Sequence, residues 1–451
     1  MKKNLTADIW QLALITTLLT IVISCQKTGK EDLTVDVAQQ QKAASASAVA
    51  LHTSGEVATD WYNLQFRILL ERNSAFNGTH FAYIGIGLYE TVRHGISKSV
   101  SLSTKLNQMP TMPQPENNGY HWDVSTNAVM ARMVRLFYSG LTPANMASID
   151  SLENVYNEKL NPAGNSSSFS RSQSFGRQVA TAIHNWFLTD NMNGSNIGYV
   201  PPVFPGAWVP TPPAFVNGVN PYVSAARTFM VEHTNMISPP FTIPYSENPS
   251  SDFYKMVKQV YDVSQSLTDE QKAIALFWVD QGNGVGLTPP GHDFSVITQA
   301  LEQTGASLAL AAETYAKAGI AERDAVIVTF RSKYANNLIR PVSYIRAVIN
   351  NSWLPFIVTP PHPEYPAAHS MVTGSALQAA ARVVGEHVMV TDRSYEFRGL
   401  PARTYHGLFA AAQEAGISRL YGGIHYQNSI NVGLAMALQI GNNVGNIKLR
   451  E

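Results

Sequence analysis

Proline and glycine punctuate the stretch from Phe330 to Ile440 so firmly that its helices can be read from it directly. Pro366 leads into Ala367-Ala368-His369 and a run of small helix formers that continues through Ala381 and Val384 to Gly385. A proline-led start and a glycine end mark one helix. Its first N–H groups have no partner inside the helix and favour an anion, and His369 sits in that first turn. Upstream, Lys333 and Arg340 are seven residues apart. On one continuous helix that spacing is two turns, about 10 Å along a single face, and two cations placed so repel unless they share an anion. Downstream, Arg419 ends another helix, Gly422-Gly423 turns the chain, and His425 opens the last helix. Three cations, a helix N-terminus and two imidazoles suit a tetrahedral or trigonal-bipyramidal oxyanion. Bonds from Arg and Lys to such an ion are roughly twice as strong as neutral ones.

Taken singly, each residue has a plainer explanation, since helical Lys and Arg usually face solvent and most histidines do no chemistry. Together, K-x6-R-P, then P-x-x-H, then S-R-x5-H resemble the signature of the type 2 phosphatidic acid phosphatase and vanadium-dependent haloperoxidase superfamily. The resemblance implies an all-α fold of helical bundles, with the site at the base of a cleft in the C-terminal bundle. It implies that Lys333, Arg340 and Arg419 bind the equatorial oxygens of vanadate or phosphate, and that the N–H of Ala368 replaces that of the family's glycine. It makes His369 the acid/base, and His425 either the axial vanadium ligand or a phosphoryl-accepting nucleophile. Phe330 and His362 match positions that line the halide side in the haloperoxidases, His362 in the manner of bromoperoxidases. Simple packing of the Pro360–Pro363 loop is the alternative.

Two departures from that signature matter. Ala367-Ala368 stands where the family usually has Ser-Gly, so one hydroxyl donor to the oxyanion is missing, a loss on the order of 1–3 kcal/mol. Ser429 stands where an Asp often follows the last His. A serine holds an imidazole tautomer only weakly, which should hurt a phosphohistidine nucleophile more than a metal ligand.

The N-terminus reads as an export signal. Lys2-Lys3 precede an apolar run from Ile9 to Ile23 that stops at Ser24-Cys25, too short for a comfortable spanning helix, although an N-terminal membrane anchor is the alternative. Cys25, the one cysteine of the chain, resembles the lipidated residue of bacterial lipoproteins. The expectation is a signal peptide over 1–24, a flexible Gln/Ala/Ser tether over 25–55, and a single all-α domain over 56–451 with its motifs in 322–447. The protein would then be an exported, membrane-anchored lipoprotein. One cysteine excludes a disulfide framework. Lys plus Arg equals Asp plus Glu, 32 against 32, so there is no basic footprint for nucleic acid.

Helical spacing covers Trp61–Arg72, Thr79–His94, Ser125–Ser139, Pro143–Lys159 and Ser170–Leu188. Gly85 and Gly87 permit close helix packing. Prolines crowd Gly198–Pro249 and exclude long helix there. That segment reads as a wrap near the cleft mouth, and its Trp208-Val-Pro-Thr-Pro-Pro213 resembles a stretch of the haloperoxidase homologues. A capped helix starts at Ser266–Gln271 and runs to about Asp280. Gly282-Asn-Gly284 lacks the flanking strand and Lys of a phosphate loop. His292, in Thr288-Pro-Pro-Gly-His292, either anchors a loop or supports a residue that touches the oxyanion. Phe294–Ala318 and Glu322–Asn350 read as long helices, the second carrying both Lys333 and Arg340.

Three functions fit. The first is a vanadate-dependent haloperoxidase, with vanadate as cofactor and hydrogen peroxide and halide as substrates. The second is an acid phosphatase that hydrolyses a phosphoester through His425, with phosphate in the same site. The third is a non-catalytic, oxyanion-binding surface lipoprotein.

Overall fold

A computed structural model describes residues 49–71, 78–116, 119–161, 164, 166–280 and 285–451. The proposed signal peptide, Cys25, the expected tether up to residue 48 and Gly282-Asn-Gly284 lie outside them. The end of that expected tether, residues 49–55, belongs to the folded domain instead: Ala50 is buried, Gly55 N–H donates to Ala306 O and Leu308 N–H to Thr53 O, so these backbone groups are paired with the start of the central helix. Nearly all regular structure is helical: α1 (Glu56–Leu70), α2 (Gly78–Val92), α3 (Trp122–Phe137), α4 (Pro143–Leu160), α5 (Ser167–Phe187), α6 (Asp252–Gln265), α7 (Asp269–Phe277), α8 (Pro289–Gln303), α9 (Leu308–Asn336), α10 (Pro341–Val348), α11 (Ala368–Val384), α12 (Leu408–Tyr421) and α13 (Gln427–Gly445). Between α11 and α12 lies one antiparallel hairpin, Met389–Asp392 (β1) against Arg403–His406 (β2). No described helix is long and apolar enough to cross a membrane.

The molecule is built around α9, which is buried along almost its whole length. It packs against α2 on one side and against α11 and α13 on the other. Small residues make this possible. A Cβ on Gly319 would lie 2.6 Å from Ala82 Cα, and one on Gly85 would lie 2.6 Å from the Tyr315 carbonyl oxygen, so the two backbones nearly touch. Gly433 of α13 serves the same purpose against the start of α11, where a Cβ would come within 2.7 Å of Ser370 Cβ. One large apolar cluster fills this bundle. A smaller one, which includes Phe253, Val342, Tyr365, Leu420 and Tyr426, lies behind the α10–α13 termini.

The expected helices around α9 need correcting. Residues 294–318 and 322–350 are not two helices. α8 ends at Gln303, Gly305 turns with φ +61°, and Ser307 caps α9 by accepting a bond from Leu310 N–H. No break falls between Ala318 and Glu322: Gly319 does not end the helix but is the point where Ala82 packs against it. α9 stops at Asn337, whose φ of +46° is left-handed, and Pro341 begins α10 with Arg340 as its N-cap residue. Lys333 and Arg340 therefore do not share one helical face; the turn between them redirects Arg340. α7 ends at Phe277 rather than near Asp280, although Thr268 and Gln271 form the reciprocal cap that the sequence signals. α6 and the β1–β2 hairpin were not anticipated.

The proline-rich segment holds only single-turn 3-10 helices and clasps the elements that bear the motifs. Trp208 N–H donates to Asn337 O, Ile339 N–H to Gly206 O, and Val219 N–H to Pro361 O. Asp324 of α9 pins its far end, accepting Phe229 N–H at 2.6 Å, Met230 N–H at 2.9 Å and His233 Nδ1 at 2.8 Å.

Candidate functional site

Five termini converge: the end of α9 (Lys333), the start of α10 (Arg340), the start of α11 (Ala368, His369), the end of α12 (Arg419) and the turn before α13 (His425). All three cations are fully or almost fully buried, and so is His425. The site has two connected halves.

In the first half, Arg340 is the hub. Its Nε donates to His362 O at 2.8 Å and one terminal nitrogen to Ile424 O at 2.9 Å. The same nitrogen lies 3.1 Å from His425 Nε2, and the other lies 3.0 Å from His362 Nδ1. Phe330 meets the His362 ring edge-on at 5.5 Å, so the two expected halide-side residues do come together. His425 Nδ1 lies 2.8 Å from Glu364 Oε1, which also accepts Tyr426 N–H; Ser429 Oγ donates to Glu364 Oε2 at 2.5 Å. Ser429 thus acts on Glu364 and not on the imidazole. Glu364 takes the place of the carboxylate that the sequence appeared to lack. It orients His425 so that Nδ1–H faces the carboxylate and Nε2 keeps its lone pair, turned toward a permanent donor.

Lys333 departs from expectation. Its ammonium donates to the carbonyls of Pro363 (2.9 Å), Glu364 (3.0 Å) and Pro366 (2.6 Å), which uses all three of its N–H bonds. It ties down the turn that delivers Glu364 and the start of α11, and contributes charge rather than a free donor.

In the second half, Arg419 Nε donates to Ser418 Oγ, and a terminal nitrogen donates to the Trp278 carbonyl. His369 Nε2 lies 3.3 Å from Asp280 Oδ2, within ion-pair distance but off the hydrogen-bond direction. Asp280 Oδ1 accepts Tyr395 O–H at 2.7 Å and His292 Nδ1 at 2.7 Å, and His292 Nε2 meets Asp392 Oδ2 at 2.8 Å. His292 lies in the first turn of α8, buried between two carboxylates, and ties the loop that carries Asp280 to the strand that carries Asp392. The halves join at the Gly422–Ile424 turn, where Ile424 N–H donates to Arg419 O and Ile424 O accepts from Arg340.

Electrostatics follow from burial. Burial, together with Arg340 beside it, pushes Lys333 well below its ordinary range. Burial alone brings Arg340 and Arg419 down to about 10. Burial and the neighbouring cations hold His425 and His362 well below the usual histidine value, and burial and Arg419 hold His369 down to about 4. Cations strained in this way are relieved by a shared anion, so the donor set fits an oxyanion. Burial likewise opposes charge on His292, but Asp280 and Asp392 override it and lift the ring to about 10.

Sequence reasoning missed Glu364, Asp280, Asp392 and Tyr395. Only Glu364 carried a local signal, a lone carboxylate among the prolines between His362 and Pro366.

A family model, the VCPO second helical-bundle domain, matches residues 313–450. Among solved structures, the first bacterial vanadium-dependent iodoperoxidase is similar at 32% identity over 87% of this chain and 96% of that one, with a TM-score of 0.77. The apo and holo forms of a bacterial vanadium-dependent chloroperoxidase share the fold at 16% identity each. The apo form aligns over 82% of this chain and 93% of its own, with a TM-score of 0.61, and the holo form over 92% and 97%, with a TM-score of 0.56. No curated protein sequence matches. The extent and identity of the iodoperoxidase likeness, on a fold that assembles these five termini, make the chain a member of the vanadium haloperoxidase family.

Proposed function

We propose that the protein oxidises halide with hydrogen peroxide on a vanadate held at His425, with iodide or bromide preferred to chloride. The observation that carries this reading is the Glu364–His425 pair. It leaves Nε2 as a lone-pair donor beside Arg340, which is what a single protein ligand to vanadium requires. Arg340, Arg419 and the N–H of Ala368 would bind the oxyanion's oxygens, and Lys333 would add its charge at close range. Bound vanadate would supply the electrophilic centre that activates peroxide. The chain supplies preorganised positive charge and, in His369, a ring kept neutral at pH 7 that takes up and returns the peroxide proton. The preference for the softer halides rests on Phe330 and His362 and on the likeness to an iodoperoxidase.

Vanadate-free protein, assayed with and without added vanadate, tests this. Peroxide-dependent iodide or bromide oxidation that appears only with vanadate is expected. Phosphoester turnover that vanadate blocks would replace this reading with a phosphatase. That second reading stands because Glu364 gives the imidazole the support which Ser429 cannot, and a nucleophilic His425 would use it too; what favours the peroxidase over it is the likeness to an iodoperoxidase. His369→Ala should keep vanadate but lose turnover by about 10²–10⁴-fold, read by halide oxidation at saturating vanadate.

We also propose that Cys25 is lipidated and anchors the protein to the membrane of an exporting bacterium. Cys25→Ser should abolish labelling with radioactive palmitate, and unchanged labelling would exclude the anchor.

A further inference from the structure

We infer that His292 and Asp392 are positioning residues for proton transfer: a buried imidazolium clamped between two carboxylates keeps Asp280 ionised, and the Asp280 charge 3.3 Å from His369 Nε2 favours the tautomer with its proton on that nitrogen. This rests on the acid/base role given to His369 above.

The geometry leaves little freedom. Both ring nitrogens of His292 lie within 2.8 Å of a carboxylate oxygen. Two acceptors demand two donors, so both nitrogens carry protons and the ring is a cation. The ring is stacked 4.3 Å from Trp278, edge-on to Tyr395 at 4.8 Å and to Phe277 at 5.4 Å, and it cannot turn without breaking both bonds. Asp392 is held in turn by Ser394 N–H at 2.8 Å. At Asp280, Oδ1 is saturated by His292 and Tyr395, which leaves Oδ2, buried and without another partner, facing His369 Nε2.

The charges that face His369 are Asp280, Arg419 and, beyond Asp280, His292. The groups that face Asp280 itself are His292, His369 and Arg419, together with the buried carboxyl of Asp293, which burial and Asp280 push well above the usual carboxylate range. Without the imidazolium, Asp280 would keep only Arg419 as a permanent counter-cation. Desolvation would then drive Asp280 toward its neutral acid. A neutral Asp280 no longer attracts a proton on His369 Nε2, and the ring loses its electrostatic preference for that tautomer. The hairpin bearing Asp392 and Tyr395 thereby becomes part of the proton-transfer apparatus, although neither residue reaches the oxyanion.

The test combines a pH profile with a double-mutant cycle in the full chain. In His292→Gln, Asp280 loses its cation and titrates higher. The acid limb of kcat should therefore move up by at least one pH unit and kcat at pH 6 should fall at least tenfold, while vanadate affinity by equilibrium dialysis stays within about threefold. If His292 acts through Asp280, adding His292→Gln to Asp280→Asn should cost nothing further. An unmoved acid limb, or losses that multiply in the double variant, would overturn the proposal. Nitrogen-15 NMR of histidine-labelled wild-type protein without vanadate gives a reading independent of turnover and of variant folding. His292 should be doubly protonated at pH 8 and His369 protonated on Nε2 alone. A neutral His292 would sink the clamp whether or not the protein oxidises halide, and an absence of halide oxidation with both rings as described would overturn the catalytic assignment alone.

Discussion

Glu364 is the residue on which the site's chemistry turns. It binds His425 Nδ1, Tyr426 N–H and Ser429 Oγ at once, and among the described residues no other carboxylate pairs with His425. Glu364→Gln keeps the shape but removes the charge that fixes the imidazole tautomer, and it should weaken vanadate binding by about 10–100-fold, measured by equilibrium dialysis. The cations and histidines of this site were legible in the sequence because each sits in a short segment with its own punctuation. Their supporting carboxylates were not. Asp280, Asp392 and Glu364 lie 12 to 100 residues along the chain from the groups they hold, in loops and a short strand whose sequence gives no sign of what they face. Ser429 misled for the same reason: a local comparison saw a lost acid, while the fold brings another one in from the loop before α11.

At the scale of elements, the sequence spoke most clearly where helix starts carry caps, as at Thr268, and least clearly where buried alanine runs hide the boundaries. α9 has apolar residues on every side, so its pattern has no face to read, and its ends are set by Ser307 and by left-handed Asn337. That short break is functional: it gives Arg340 a new direction, so that it meets His425 while Lys333 holds the turn before α11. The α2–α9 contact is equally specific. Gly319→Ala would push a methyl into Ala82 Cα and should destabilise the protein by about 1–3 kcal/mol, read as a lowered urea midpoint. Gly305→Ala meets no atom within 4 Å but stands at φ +61°, so any smaller loss there reports backbone strain alone.

Across the whole molecule, burying so many ionisable groups makes stability depend on pH from both sides. His369 and His94, held down to about 4 and about 3, bind protons more readily when unfolded. Their contribution is complete above the ordinary histidine value of about 6.5 and is lost as pH falls toward 3. His292, lifted to about 10, has the opposite sign. Its contribution is complete below about 6.5 and is lost as pH rises to about 10. The melting temperature should therefore peak near neutrality, and His292→Gln should flatten the alkaline slope, as followed by circular dichroism from pH 3 to 10. The central claim is that five helix termini enclose one oxyanion with His425 as its only protein ligand. A crystal structure of the protein soaked in vanadate tests it most directly. The account predicts a single vanadium bonded to His425 Nε2, with its oxygens on Arg340 and Arg419; vanadate bound elsewhere, or no vanadium–nitrogen bond in that pocket, would contradict it.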